Sequence, residues 1–150
     1  MNPHRMSLIA LGVVTFLFAC VLAVSRLSAP LAQEPKAAEP SKLLVVWTSG
    51  DREVALNMVF MYTFNAKKYG WWKDIRLLVW GPSSKLLSQD VELQQYVKKM
   101  KDAGVELLAC KACADIYKVS PALEALGVEV KYMGAPLTEM LKTGWTTMTF

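Results

Sequence analysis

The sequence predicts an α/β domain with a mostly parallel, five-stranded sheet and helices on both faces. Short apolar runs alternate with segments of helical periodicity over residues 42–150. Some of these runs stop at turn residues, as at Thr48-Ser49-Gly50 and Gly81-Pro82. Strands that alternate with helices in this way require right-handed crossovers, and such crossovers produce parallel pairing.

Five runs are predicted as strands: residues 43–47, 75–80, 105–109, 128–133 and 145–150. The first is continuously apolar, which is typical of a strand buried on both faces. The fourth alternates more regularly, so we expect it nearer an edge of the sheet.

The first predicted helix follows Asp51, a potential N-cap, and ends at Lys67-Lys68 before Gly70. It is apolar around almost its whole circumference, which predicts burial on more than one side and therefore a homo-oligomer. One long helix is predicted from Lys85 to Asp102. Shorter helical segments are predicted at residues 114–117, 122–126 and 136–142.

The chain divides into a signal or anchor segment (residues 1–25), a linker (26–41) rich in Ala, Pro, Gln and Glu, and the domain (42–150). The stretch from Met6 to Val24 carries no charge and nearly spans a bilayer core. We therefore expect the domain on the periplasmic or extracytoplasmic side of a membrane.

The processing of this segment has three alternatives. It could be retained as an anchor, cleaved after a triplet such as Ala23-Val24-Ser25, or acylated at Cys20, because residues 17–20 resemble a lipobox. Burial as a helix of the domain is disfavoured, because several prolines separate the segment from the domain.

Composition excludes several classes of protein. Of 150 residues, 53% are hydrophobic and only 3 are Cys, which argues against disorder and against a disulfide-stapled miniprotein. The net charge is +4, but no basic stripe is interleaved with aromatic residues, so we expect no nucleic-acid partner. Phosphate-binding glycine motifs are missing, and the single histidine is His4, so we predict no cofactor and no metal site.

Two segments fall at the predicted carboxyl ends of strands, where reactive groups of parallel sheets lie. The first, Thr48-Ser49-Gly50-Asp51, could bind an anion through its N–H groups and hydroxyls, or simply form a turn and an N-cap. The second, Cys110-Lys111-Ala112-Cys113, carries two thiols.

Cys110 is the stronger candidate for chemistry. It ends a predicted strand, and the amides of the following helix together with Lys111 could favour its thiolate. The alternative is a buried cysteine that packs as a small hydrophobe. The spacing to Cys113 also suits a redox disulfide at the start of a helix.

A set of short motifs runs through the second half of the domain: residues 105–110 with the Ala-containing helix start after them, residues 126–130, Gly134 with residues 137–142, and Thr149-Phe150. In these motifs the domain resembles the DsrE-like (DsrE/DsrF-like) family of sulfur-relay and sulfur-oxidation proteins. The resemblance covers residues 42–150 and implies a parallel sheet with flavodoxin-like layering, assembled as a trimer or hexamer.

The resemblance also implies the chemistry. In sulfur-transferring members a cysteine at the end of the third strand carries a persulfide between partner proteins, and Cys110 matches that position. Such a thiol must be accessible and readily ionised. Many relatives have a small residue at the position of Cys113. The relay members look cytoplasmic, whereas this chain is predicted to be exported, so a role in transfer-RNA modification is not expected.

Three hypotheses follow. The first is a sulfur carrier or sulfurtransferase component that takes up sulfane sulfur on Cys110 from a donor protein and passes it to an acceptor. The second is a thiol–disulfide redox protein that uses Cys110 and Cys113. The third is a non-catalytic oligomeric interaction module.

Overall fold

The computed structural model describes residues 42–150 of the chain. The predicted membrane-targeting segment at residues 6–24, its processing sites and the linker at 26–41 lie outside the described residues. Among residues 42–150, no helix combines the length and apolar character that a bilayer crossing requires.

Five strands form one sheet in which every pairing is parallel, and the order is β4-β3-β2-β1-β5. The strands are β1 (Lys42–Trp47), β2 (Asp74–Val79), β3 (Glu106–Cys110), β4 (Glu129–Lys131) and β5 (Thr146–Thr149). The predicted five-stranded α/β sheet is confirmed. The fourth strand is an edge strand, as its alternating pattern predicts.

Six helices occur among the described residues: α1 (residues 52–68), α2 (Pro82–Gln89), α3 (Val91–Asp102), α4 (Lys111–Ile116), α5 (Ser120–Ala125) and α6 (Gly134–Lys142). Helix α1 contains a π-helical stretch, Ala55–Phe60. Asp51 caps α1 as predicted, because its Oδ1 accepts hydrogen bonds from the backbone N–H groups of Glu53 (2.7 Å) and Val54 (3.2 Å).

The prediction of one helix from Lys85 to Asp102 is wrong. The chain forms α2 and α3 instead, because Asp90 adopts an extended backbone (φ −103°, ψ 109°) and caps α3. Its side chain accepts a hydrogen bond of 3.0 Å from the Leu93 N–H, and a second carboxylate oxygen lies 2.8 Å from Nε of Arg52. A capping aspartate thus interrupts a continuous amphipathic pattern.

The helices cover the two faces of the sheet unequally. Successive crossovers from β1 to β4 all advance in one direction, so right-handed connections place α1 to α5 on one face. The return from β4 to β5 runs the opposite way and places α6 on the other face. Each of the first five helices contributes to one core cluster: Ala55, Leu87, Val97, Ala114 and Leu123. Leu137 and Met140 of α6 pack against the opposite cluster, which contains Leu44, Leu78 and Cys110.

Candidate functional site

The cysteine motif lies where the connections of two neighbouring strands diverge. Strands β3 and β4 are paired, but the chain leaves β3 for α4 on one face and leaves β4 for α6 on the other. In open α/β sheets, ligands usually bind where neighbouring connections diverge in this way, beside the carboxyl ends of the strands. Cys110 is the last residue of β3, and its register partner in β4 is Lys131.

Cys110 is buried, with a relative exposure of 5%. Strand alternation puts its side chain on the same face as Leu108, in the cluster that α6 covers together with Leu78 and Met133. The expectation of an exposed Cys110 thiol is therefore wrong for this subunit, because neighbouring side chains cover the thiol from solvent.

Cys113 lies one turn further along, in α4, and is the more accessible of the two thiols. Burial raises the pKa of Cys113, and a hydrogen bond with the Cys110 thiol raises it further. A hydrogen bond from the backbone N–H of Gly81 acts in the opposite direction, because it stabilises the thiolate. On balance Cys113 is a weaker acid than a free cysteine. Both thiols are unbridged, and Cys113 packs against the buried cluster that contains Cys110.

Gly81 is a residue of the candidate site that the sequence analysis missed. It connects β2 to α2 with φ 73° and ψ −134°, a backbone conformation that residues other than glycine rarely adopt. Its backbone N–H lowers the pKa of the Cys113 thiol. A glycine between a buried strand and a proline was the available signal, but the sequence interpretation treated it only as the end of the strand.

Lys111 does not serve the Cys110 thiolate as the sequence suggested. Its Nζ lies 2.9 and 3.1 Å from the two carboxylate oxygens of Asp115, one turn along α4. Hydrogen bonds from Ser120 and then from Lys111 lower the pKa of Asp115, so this carboxylate is ionised and neutralises the lysine. The trio ties α4 to the start of α5, which fixes the helix that carries Cys113.

Most donors of the turn at residues 48–51 take part in hydrogen bonds within the domain. The backbone oxygen of Phe150 accepts hydrogen bonds from the N–H groups of Thr48 (2.7 Å) and Ser49 (3.2 Å) and from Thr48 Oγ1 (2.6 Å). Asp51 is the N-cap of α1. These contacts favour the interpretation of this segment as a turn and cap, because they occupy both donors of Thr48 and the backbone N–H of Ser49.

Residues 42–150 bring no three His, Cys, Asp or Glu side chains together as a metal-ligand set. The chemical groups around the cysteine motif are two thiols, the Gly81 amide and the neutralised Lys111–Asp115 pair.

Two comparisons with known proteins identify the fold. The family model described as DsrE/DsrF-like matches residues 41–150. The conserved protein of unknown function BT1422 from Bacteroides thetaiotaomicron superposes with a TM-score of 0.72 at 36% identity, over 75% of this chain and 99% of that one. No curated protein matches.

The ychN protein from E. coli shares the fold at 17% identity, with a TM-score of 0.58 over 73% of this chain and 99% of its own. The family match spans most of the chain and all of the described domain. The protein therefore belongs to the DsrE/DsrF-like family.

Proposed function

We propose that the protein is a sulfur carrier that holds sulfane sulfur as a persulfide on Cys110, with Cys113 as the thiol that exchanges sulfur with donors and acceptors. The observation that carries this proposal is the packing of a more accessible thiol, Cys113, against the buried cluster that contains Cys110 at the end of β3. Membership of a family with sulfur-relay members supports it.

The transfer proceeds in two redox-neutral steps. The Cys113 thiolate attacks the terminal sulfur of a donor persulfide, R–S–SH; the donor S–S bond breaks, a new S–S bond forms on Cys113, and the donor leaves as R–S⁻. The Cys110 thiolate then attacks the outer sulfur of the Cys113 persulfide, which regenerates the Cys113 thiolate. Burial of Cys110 shields the stored sulfur from thiols in solution.

The raised pKa of Cys113 is compatible with this role. It lowers the thiolate fraction at neutral pH, but the nucleophilicity of a thiolate increases with its pKa, so the two effects partly cancel. The Gly81 N–H supplies the one resolved interaction that favours the anion.

Intact-mass spectrometry tests the proposal. After incubation with polysulfide and a wash with a small thiol, the wild-type protein should gain a stable increment of about 32 Da per sulfur. Cys110→Ser should lose this stable increment, and Cys113→Ser should load more slowly. A folded wild-type protein that never takes up sulfur overturns the proposal. The same spectrum reports whether residues 1–25 are retained, cleaved or acylated.

A thiol–disulfide redox function is the second candidate, and the packing of Cys113 against the cluster that contains Cys110 favours it. If Cys110 attacks the inner sulfur of a Cys113 persulfide, the products are a Cys110–Cys113 disulfide and HS⁻. This route consumes two titratable thiols for each sulfide released. Sulfur uptake without sulfide release, and without a Cys110–Cys113 disulfide in the unreduced protein, would exclude it.

A further inference from the structure

An aromatic cluster lies on the surface between α1 and β2. It consists of Tyr62, Tyr69, Trp71 and Trp72. Tyr69 and Trp71 are 60% and 57% exposed, and their rings stack with centroids 5.8 Å apart and an interplanar angle of 28°. The Trp71 ring also lies 6.0 Å from that of Tyr62, whose hydroxyl accepts a 3.2 Å hydrogen bond from Trp72 Nε1. Single exposed aromatic residues are ordinary, whereas a packed and exposed group of them is typical of an interaction surface.

The backbone holds the aromatic cluster in place. Helix α1 ends in a Schellman motif, in which Gly70 adopts φ 68° and its N–H donates to the Lys67 carbonyl (3.2 Å). The Trp71 N–H donates to the Ala66 carbonyl (3.0 Å). Across the turn, Lys67 Nζ donates a 2.9 Å hydrogen bond to the Lys73 carbonyl. The exposed rings are therefore carried by a hydrogen-bonded turn, and binding through them requires little further ordering of the chain.

Positive charge is concentrated at the amino end of the sheet, where the aromatic cluster lies. Helices of a parallel α/β domain run opposite to the strands, so their last turns lie at this end. Lysines occupy these last turns and the strand starts: Lys67 and Lys68 in α1, Lys99 and Lys101 in α3, Lys142 in α6, Lys42 in β1 and Lys73 before β2. Among residues 42–150, none of these lysines forms an ion pair.

Carboxylates at this end do not balance the lysines. They are Asp74, Asp102, Glu106, Glu124, Glu129 and Glu139. Glu106 and Glu129 are already ion-paired with Arg76 and Lys131. The amino end of the sheet therefore carries an excess of positive charge, and Lys68 Nζ lies 5.3 Å from the centre of the exposed Tyr69 ring.

The chain that precedes the domain joins it at this same end. Strand β1 begins at Lys42, so the linker predicted at residues 26–41 reaches the domain at the amino end of the sheet. An extended chain of that length spans at most roughly 55 Å. If residues 6–24 lie in a membrane, as the sequence predicts, the domain is tethered within that distance of the lipid surface. A weak surface interaction then becomes effective, because it is intramolecular.

We propose that the aromatic cluster and the lysines at the amino end of the sheet dock the domain on an anionic phospholipid surface. Tyrosine and tryptophan rings are preferred at the boundary between headgroups and acyl chains, and lysines near a membrane attract anionic headgroups. The inference rests on the predicted membrane segment and is independent of the sulfur-carrier function. Docking in this way turns the carboxyl ends of the strands, and with them Cys113 in the helix after β3, away from the lipid.

Fluorescence quenching tests the docking on the full-length chain reconstituted into vesicles. The vesicles contain phosphatidylcholine brominated on the acyl-chain carbons nearest the headgroup, with or without phosphatidylglycerol. Tryptophan fluorescence of the wild type should be quenched more strongly with phosphatidylglycerol, and high salt should reverse this difference. Trp71→Phe should lose most of the quenched intensity. The matched control is Trp80→Phe, just after the carboxyl end of β2, which should retain it.

A lysine substitution tests the contribution of charge while leaving Trp71 in place as the reporter. Lys73→Gln should lower the ratio of docked to free domain by about five-fold in vesicles with phosphatidylglycerol. Its matched control is Lys85→Gln, which removes an exposed lysine from the first turn of α2, near the opposite end of the sheet, and should leave the ratio unchanged.

Light scattering on the same variants in detergent distinguishes lipid docking from contact between copies of the chain. If Trp71→Phe or Lys73→Gln changes the molecular mass of the assembly, the surface is an interface between copies and the proposal is overturned. Wild-type quenching that is absent, or that does not depend on phosphatidylglycerol and salt, also overturns it. Equal losses of quenching in Trp71→Phe and Trp80→Phe, or equal ratios in Lys73→Gln and Lys85→Gln, have the same consequence.

Discussion

Gly81→Ala tests whether backbone geometry at the end of β2 controls the cysteine pair. A Cβ added at Gly81 meets no atom within 4 Å, so the substitution causes no steric clash. The cost is the strain of holding an alanine at φ 73°, which we expect to lower the free energy of unfolding by about 1–3 kcal/mol. Relief of that strain moves the N–H away from the Cys113 sulfur.

Loss of this hydrogen bond should raise the pKa of Cys113 further, because the Gly81 N–H is the interaction that lowers it. The rate at which iodoacetamide alkylates Cys113 is measured as a function of pH by peptide mass spectrometry. Urea unfolding measures the loss of stability in the same variant. The midpoint of the alkylation curve should move to higher pH.

Gly70→Ala is the matched control. Gly70 has φ 68° and no neighbour within 4 Å of an added Cβ, but it lies in the turn after α1, away from the cysteines. It should lose about 1–2 kcal/mol of stability and leave the alkylation midpoint unchanged. An unchanged midpoint in a folded Gly81→Ala variant, or an equal shift in Gly70→Ala, would refute the reasoning.

Three further predictions concern other contacts. Cys110→Ala should lower the midpoint of Cys113 alkylation, because it removes a hydrogen bond that raises the pKa; the midpoint should stay above that of a free cysteine, because burial, the largest cause of the raised pKa, remains. Met58→Lys and Met61→Lys should dissociate the predicted homo-oligomer without unfolding the subunit, because both side chains are 50% exposed; multi-angle light scattering measures this. Thr48→Val should lose about 1 kcal/mol of stability, because it removes the 2.6 Å hydrogen bond that Thr48 Oγ1 donates to the backbone oxygen of Phe150.

Each of these has an outcome that would contradict it. If the alkylation midpoint of Cys113 stays the same or rises in Cys110→Ala, the Cys110 thiol does not raise the pKa of Cys113. A wild-type monomer at micromolar concentration would remove the oligomer, and a Thr48→Ser variant as unstable as Thr48→Val would show that the hydroxyl is not the cause.

The sequence predicted most of the fold because its signals are local. Buried strands read as continuous apolar runs, and Asp51 with Lys67-Lys68 marks both ends of α1. The division of the second long helix was missed because amphipathic periodicity continues across Asp90. The break is stabilised partly by Arg52, which lies 38 residues earlier in the chain, so no local window contains it.

The sequence by itself determined the α/β class, the parallel sheet and the presence of two thiols three residues apart after the third strand, because periodicity, turn chemistry and spacing are properties of contiguous residues. Only the tertiary structure decided which thiol is accessible. Strand alternation and the cover of α6 bury Cys110, and a glycine from another strand end donates to Cys113. Burial and hydrogen bonding of a thiol depend on residues brought together from distant parts of the chain, and these control its reactivity.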